Sequence, residues 1–386
     1  MNKHIISFAS IVLGGIILLA GCQKDGTTSK AGSLVKFTAG LKPAATRTSY
    51  SGEIVNNFER INWKDGETIV VWSDKAVDRY NTSANYASYA ISSPKASGVN
   101  STASLGNIKG ENGEGGNGLV WVDGVETYKF WGSSPAISGT PEAGKATFAI
   151  PASQQMNADS TAKTATTGEG DAAVTTVTLP ADMSNAWLFA AVEDAEAGKD
   201  VSLDFYPAFT AFELTFEGDA DYDGNITVTQ VDLISDSPLA GSVEATLAPG
   251  TRTNTVGEVA HTIGASTYAC TAAGKSPYTL SYTLPEGSVV SAKNSIVLTV
   301  FALPQNVVGL KLCFHVTIDG EETTFIGALK NKKNDNPITF GACEKHRIKG
   351  VAVPGNVWKI YYKPGIVTTD EWIEAGEAQT TNLIVE

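Results

Sequence analysis

Apolar and polar residues alternate with period two along most of this chain, and that pattern leaves few folds open to it. Val35, Phe37, Ala39 and Leu41 point one way, with Lys36, Thr38 and Gly40 opposite. Tyr278, Leu280, Tyr282 and Leu284 alternate with Thr279, Ser281 and Thr283. Leu310, Leu312, Phe314, Val316 and Ile318 alternate with Lys311, Cys313, His315 and Thr317. A period of two places one side-chain set on each face of a strand, so these segments read as half-buried strands of packed sheets. Ile69-Val70-Val71-Trp72 and Ile296-Val297-Leu298 are apolar on both faces and read as central strands. Asp-Gly recurs at 65–66, 123–124, 223–224 and 319–320, the dipeptide suited to tight hairpin turns with positive φ. No convincing amphipathic helix interrupts the series, and the expected fold class is all-β.

Composition supports that reading and removes several function classes. Only 18% of the 386 residues are charged, against about 25% in an average globular protein. The 38 Gly and 15 Pro suit a turn-rich β protein. A net charge of −13 argues against nucleic acid, whose phosphates need a basic surface, and against electrostatic docking on anionic lipid.

The N-terminus carries its own signal. Lys3 and His4 precede an apolar run from Ile5 to Ala20, too short to span a bilayer at about 20 residues but the right length for a secretory leader. The run ends in Leu19-Ala20-Gly21-Cys22, which resembles a bacterial lipobox with Cys22 as the lipidated residue. Residues 1–21 then read as a lipoprotein signal peptide and 22–33 as a flexible tether, and several acyl chains would hold the protein stably on a membrane. With Cys22 lipidated, Cys270, Cys313 and Cys343 remain, an odd set that admits one bridge at most. Cys270 with Cys343 is one pairing; free core thiols are the preferred reading.

Two domains are expected. The Thr/Ala/Ser/Gly-rich stretch 152–177 reads as a long loop or edge excursion, and a composition shift at 195–199 precedes an apolar run from Val201 to Phe216. The division is placed near residue 200, giving 34–199 and 200–364 as antiparallel β-sandwiches, with 365–386 as a C-terminal tail.

Several segments, in order, resemble the fimbrillin-like lipoproteins of Bacteroidetes, the major and minor fimbrium subunits. They are the lipobox, the first strand, Ala45-Thr46-Arg47-Thr48-Ser49-Tyr50, Ile61-Asn62-Trp63-Lys64-Asp65-Gly66 running on to Trp72, and Tyr128-Lys129-Phe130-Trp131-Gly132. Phe148-Ala149-Ile150-Pro151-Ala152-Ser153-Gln154-Gln155, Leu203 to Phe212 and Asp370-Glu371-Trp372-Ile373 complete the set. The resemblance implies two transthyretin-like β-sandwich domains in tandem. It implies export as an outer-membrane lipoprotein, cleavage by an Arg-specific protease after Arg47 to leave Thr48 first, and assembly with other pilin subunits by strand exchange. Removing the first strand would open a groove that a strand from the next subunit fills. The tail 365–386, with Leu383-Ile384-Val385 and Trp372-Ile373, is the candidate donor strand; the alternative is a last strand folded onto its own domain.

Physical reasoning is consistent with that mechanism. Loss of residues 22–47 would withdraw the Val35, Phe37, Ala39 and Leu41 face, each larger side chain worth roughly 1.5–3 kcal/mol when buried. It would also unpair the backbones of two neighbouring strands, and an incoming strand would restore both.

Other constellations are read more plainly. Asp219, Asp221 and Asp223 have the spacing of a calcium loop, yet Gln230 stands at the twelfth position and the flanks are strands, so an acidic hairpin turn is preferred. The Gly-rich stretch 110–118 is acidic and lacks the Gly-Lys-Ser/Thr ending of a phosphate loop. His261, His315 and His346 form no ligand-spaced pair, and no nucleophile elbow occurs. No cofactor, resident metal or catalytic residue is expected. The seven Trp residues are expected in the cores; exposed and coplanar, they would instead form a sugar-stacking platform on a monomeric surface lipoprotein that binds glycans or host ligands.

Overall fold

The computed structural model describes residues 32–41, 49–55, 58–97, 100–107, 118–222, 224–256, 259–331, 334–354, 357–363 and 373–380. The protein is all-β. Among the described residues the only helical turns are short 3-10 segments at Gly170–Ala172 and Met183–Asn185.

Seven strands close into a barrel. They are β1 (Phe37–Leu41), β2 (Thr68–Ser73), β3 (Tyr86–Ser97), β4 (Asn100–Asn107), β5 (Thr127–Ser134), β6 (Leu188–Glu196) and β7 (Val201–Pro207). The circuit runs β1-β7-β6-β5-β2-β3-β4 and back to β1. Strand β2, read from sequence as central, lies between β3 and β5 with Ile69, Val71 and Trp72 fully buried. Strand β7 keeps the period-two rule, with Val201, Leu203 and Phe205 inward.

Aromatic rings pack on both faces of the barrel wall. Phe37 meets Phe130 edge-on at 5.1 Å and Trp121 meets Tyr128 at 4.8 Å, while Trp72 stacks on Trp131 at 6.4 Å on the opposite face, beneath Glu142 and Gly144. A three-stranded sheet of Lys145–Ile150, Gly241–Thr246 and Thr267–Ala272 packs against this core through Phe148, whose ring lies 5.4 Å from that of Phe189. The first core therefore draws on both sides of the division expected near residue 200: it includes Val201–Phe205 on β7, and also Val243, Ala245, Phe301 and Leu303.

The second core is built on a long sheet. Its labelled strands are β8 (Thr210–Gly218), β9 (Ile226–Ser235), β10 (Tyr278–Thr283), β11 (Asn294–Ala302), β12 (Lys311–Ile318), β13 (Glu321–Ala328), β14 (Lys345–Val353), β15 (Val357–Lys363) and β16 (Ile373–Thr380). The order is β10-β9-β12-β13-β16-β15-β14-β8-β11, extended by Ser153–Gln155 at the β10 end and by Val174–Thr178 and Lys163–Thr167 at the other.

This path folds over on itself. Five steps at about 4.8 Å would separate β12 from β8 in a flat sheet by more than 20 Å. The rings of Phe314 on β12 and Phe216 on β8 are 5.4 Å apart, and Phe314 stacks on Trp358 of β15 at 4.6 Å. Two inner faces thus enclose one apolar layer, as in a sandwich. The β12–β13 hairpin turns at Asp319 and Gly320, both at positive φ (51° and 87°), the conformation that the Asp-Gly pair predicts.

One difference from the sequence reading stands out. Four pairings are parallel rather than antiparallel: β1 with β7, β8 with β14, Val174–Thr178 with β11, and Ser153–Gln155 with β10. Of the two readings left open for the tail, its described part takes the second: residues 373–380 form β16, which pairs with β15 and β13 of the chain's own sheet and buries Ala375 and Ala378. A bulge at Ala375 breaks the period of two, so that Ala375 and Ala378, three apart, are both buried and no regular amphipathic pattern marked this strand. Leu383-Ile384-Val385 and Trp372 lie outside the described residues.

Candidate functional site: the seat of the first strand

Strand β1 is held on both edges. It runs parallel to β7, with Phe37 opposite Val201 and Leu41 opposite Phe205, and antiparallel to β4, with Thr38 opposite Ser104 and Leu41 opposite Ser101. The residues before it are also laced in: Val35 donates to the Leu119 carbonyl at 2.8 Å, and Val201 donates to the Lys36 carbonyl at 2.9 Å. β1 therefore closes the barrel, and every ladder bond on its two flanks depends on it.

Its inward face is apolar throughout. Val35, Phe37, Ala39 and Leu41 are all buried. The Phe37 ring stands edge-on to Tyr89 at 5.2 Å and to Phe130 at 5.1 Å, an arrangement that adds to simple area burial. The outward face is small: Thr38 is exposed, and a side chain at Gly40 would meet Asp204 Oδ1 at 2.8 Å. A shallow cleft of about 410 Å³ lies along that face, lined by Thr38, Gly40, Lys95, Thr102, Ser202 and Asp204. Chemically, this is a strand seat: main-chain groups on two sides and a row of apolar sockets beneath.

Arg47 and Thr48, the expected processing pair, and Cys22, the expected lipidation residue, lie outside the described residues. In the sequence Arg47 stands between β1 and the next described segment, the hairpin Ser49–Val55/Phe58–Asn62.

The acidic turn follows β8. Asp219 accepts from the Asp221 N–H at 3.1 Å through its side chain and from the Tyr222 N–H at 2.9 Å through its carbonyl. Asp223 lies outside the described residues. The six described tryptophans do not form a platform: Trp63, Trp72, Trp121, Trp131 and Trp358 are buried, and Trp187 packs partly buried against Phe148. Cys270, Cys313 and Cys343 are free thiols, so the pairing of Cys270 with Cys343 is not formed. Burial pushes the Cys343 thiol up to about 12 and that of Cys270 to about 11.

One cluster escaped the sequence reading. Asp232 on β9 and Cys313 and His315 on β12 bring one carboxylate oxygen, one sulfur and one ring nitrogen within 4.8 Å of one another. Among the described residues this is the one group of three such side chains close enough to share an ion.

No family model matches this chain, and no curated protein does. Solved structures resemble it over most of its length. A candidate cell adhesion protein from Bacteroides ovatus is 15% identical, with 87% of this chain and 99% of that one covered and a TM-score of 0.43. Another from Bacteroides uniformis is 12% identical over 86% and 96%, with a TM-score of 0.45. The C-terminally truncated tip fimbrial protein of Porphyromonas gingivalis is 7% identical over 85% and 98%, with a TM-score of 0.31. The likeness is broad in coverage and low in superposition.

Proposed function

We propose that this chain is a structural and adhesive pilus subunit, exported as a lipoprotein on Cys22 and assembled by strand exchange after cleavage at Arg47. The observation that carries this reading is the seat of β1. A short N-terminal strand closes a barrel on both edges, fills it with Val35, Phe37, Ala39 and Leu41, and is followed in the sequence by Arg47. Removing such a strand leaves an apolar slot with unpaired backbone on either side, which a donor strand completes. The partners are other pilin subunits, and the role is mechanical rather than catalytic. Because residues 373–380 belong to the chain's own sheet, this chain would donate its tail only through 381–386 or by releasing β16, and without such donation it serves as a tip or accessory subunit rather than a stalk one. A monomeric glycan-binding lipoprotein is the less favoured reading, since five of the seven tryptophans are buried.

The test is limited digestion with an Arg-specific protease, read by mass spectrometry and by an unheated denaturing gel. A new N-terminus at Thr48 together with a detergent-resistant ladder is the expected result. Resistance at Arg47, with monomers under every condition, would overturn the strand-exchange reading.

A further inference from the structure

We propose that Asp232, Cys313 and His315 form a binding site for one zinc ion on the outer face of the second sheet, independent of the strand seat. The pairing of β9 with β12 creates it. Val228 faces Val316, but a bulge follows, and from there Gln230 faces His315 and Asp232 faces Cys313. Without the extra residue, Asp232 would stand opposite Leu312. Bulges re-aim side chains in this way and are frequent beside functional sites. Cys313 and His315, two apart on one strand, share a face with Asp232 directly across.

The distances suit a tetrahedral ion. With Zn–S near 2.3 Å and Zn–N near 2.0–2.1 Å, tetrahedral geometry places sulfur and nitrogen about 3.6 Å apart. Cys313 Sγ and His315 Nε2 are 3.6 Å apart. His315 Nε2 and Asp232 Oδ2 are hydrogen-bonded at 2.8 Å and would have to separate to about 3.4 Å. The imidazole is 37% exposed, so it has room to swing and gives solvent a route in, while Asp232 is 11% exposed. Gln230 Nε2 donates to Asp232 Oδ1 at 2.8 Å. That bond orients the carboxylate and leaves Oδ2 for the ion, the role outer partners play at metal sites. A water would take the fourth position.

Two alternatives fit less well. A nucleophilic relay needs the carboxylate on one imidazole nitrogen and the thiol on the other. Here both Asp232 and Cys313 approach the same atom, Nε2, so they converge on a point rather than line up. A mixed sulfur, nitrogen and oxygen set also disfavours calcium and magnesium, which take oxygen ligands. On binding, the Cys313 S–H bond breaks, sulfur keeps the electron pair and bonds to zinc, and the proton passes to solvent.

The experiment titrates Co²⁺, then Zn²⁺, into the full exported chain kept reduced. Expected are one cobalt per chain, a thiolate-to-cobalt charge-transfer band with tetrahedral d–d absorption, and displacement by one equivalent of zinc. Cys313→Ser removes the charge-transfer band, and His315→Gln weakens zinc at least 100-fold by calorimetry. Because His315 is part-exposed, His315→Gln should keep the metal-free melting midpoint, which serves as the folding control. Gln230→Ala should cost about 10-fold. No zinc uptake by the parent chain at millimolar metal overturns the proposal. So does equal affinity in a folded His315→Gln variant, which would assign the ion to surface carboxylates.

Discussion

The side chain of Gln154 pairs with the backbone of Phe301 as a neighbouring strand would. Its Oε1 accepts from the Phe301 N–H at 3.0 Å, and its Nε2 donates to the Phe301 carbonyl at 2.6 Å. Gln154 is buried, so losing its amide takes away partners that lie out of solvent. A buried donor or acceptor left unpaired costs about 1–3 kcal/mol. Gln154→Ala should therefore lower stability by roughly 2–4 kcal/mol in chemical denaturation. A loss under about 0.5 kcal/mol would mean the strand edge at Phe301 finds other partners.

Phe37→Ala should loosen β1 before anything else. Removing a buried Phe costs about 3–5 kcal/mol, and this ring touches both Tyr89 and Phe130. Hydrogen exchange should quicken first at Thr38–Leu41 and at the facing amides of β4 and β7. Uniform quickening across both cores would show that β1 opens only with the whole molecule.

Glu344 gives the stability a pH dependence. Burial raises its carboxyl to about 7, and the nearby His346 Nε2 donates instead to the Gly341 carbonyl at 3.0 Å. A carboxyl raised in the folded state holds its proton there longer than in the unfolded chain. Its favourable contribution is complete below about pH 4.5 and lost as pH rises through 7, an effect of roughly 3 kcal/mol. Glu344→Gln should flatten the difference between urea denaturation at pH 4.5 and at pH 8. The same slope in both proteins would assign the effect elsewhere.

Glu213 has the opposite sign. Burial pushes its carboxyl up, but Lys345 and Arg347 outweigh that and hold it below the usual carboxylate range. Its contribution is present above about pH 4.5 and lost on acidification. Glu213→Gln removes the carboxylate paired with the Lys345 amine, which is almost wholly buried, and should cost roughly 3 kcal/mol at neutral pH, measured by denaturation. A near-neutral result would mean water reaches Lys345.

Gly327 tests the tail. A Cβ there would lie 2.5 Å from the Glu377 carbonyl oxygen and 2.7 Å from Ala378 Cα, both on β16. Backbone cannot yield as a side-chain tip does, so Gly327→Val should cost at least about 2 kcal/mol. Amide exchange in β16 should quicken ahead of that in β12 and β14. Unchanged exchange in β16 would argue that this strand is not held against β13.

Much of the strand content was written in the residue pattern. The alternation at Val35–Leu41 names the face that β1 buries, and Asp319-Gly320 names the turn between β12 and β13. What was not legible depends on register. Asp232 and His315 are 83 residues apart, and only the bulge before Gln230 brings them together. Parallel edges were equally hidden, because a strand reads the same whichever direction its neighbour runs. The tail stayed open between two readings because β16 buries two alanines, too little apolar weight to say where the strand docks. Gln154 stood in a string noticed for its likeness, yet its task is visible only beside Phe301.

The parallel seam between β1 and β7 has a bearing on timing. Phe37 and Val201 are roughly 160 residues apart, so the ribosome finishes the first strand long before it makes the partner. During that interval β1 is an apolar segment with one edge unmatched. Closing the barrel therefore waits for β7, the last of its strands in the sequence, and until then β1 can be held on its β4 edge alone.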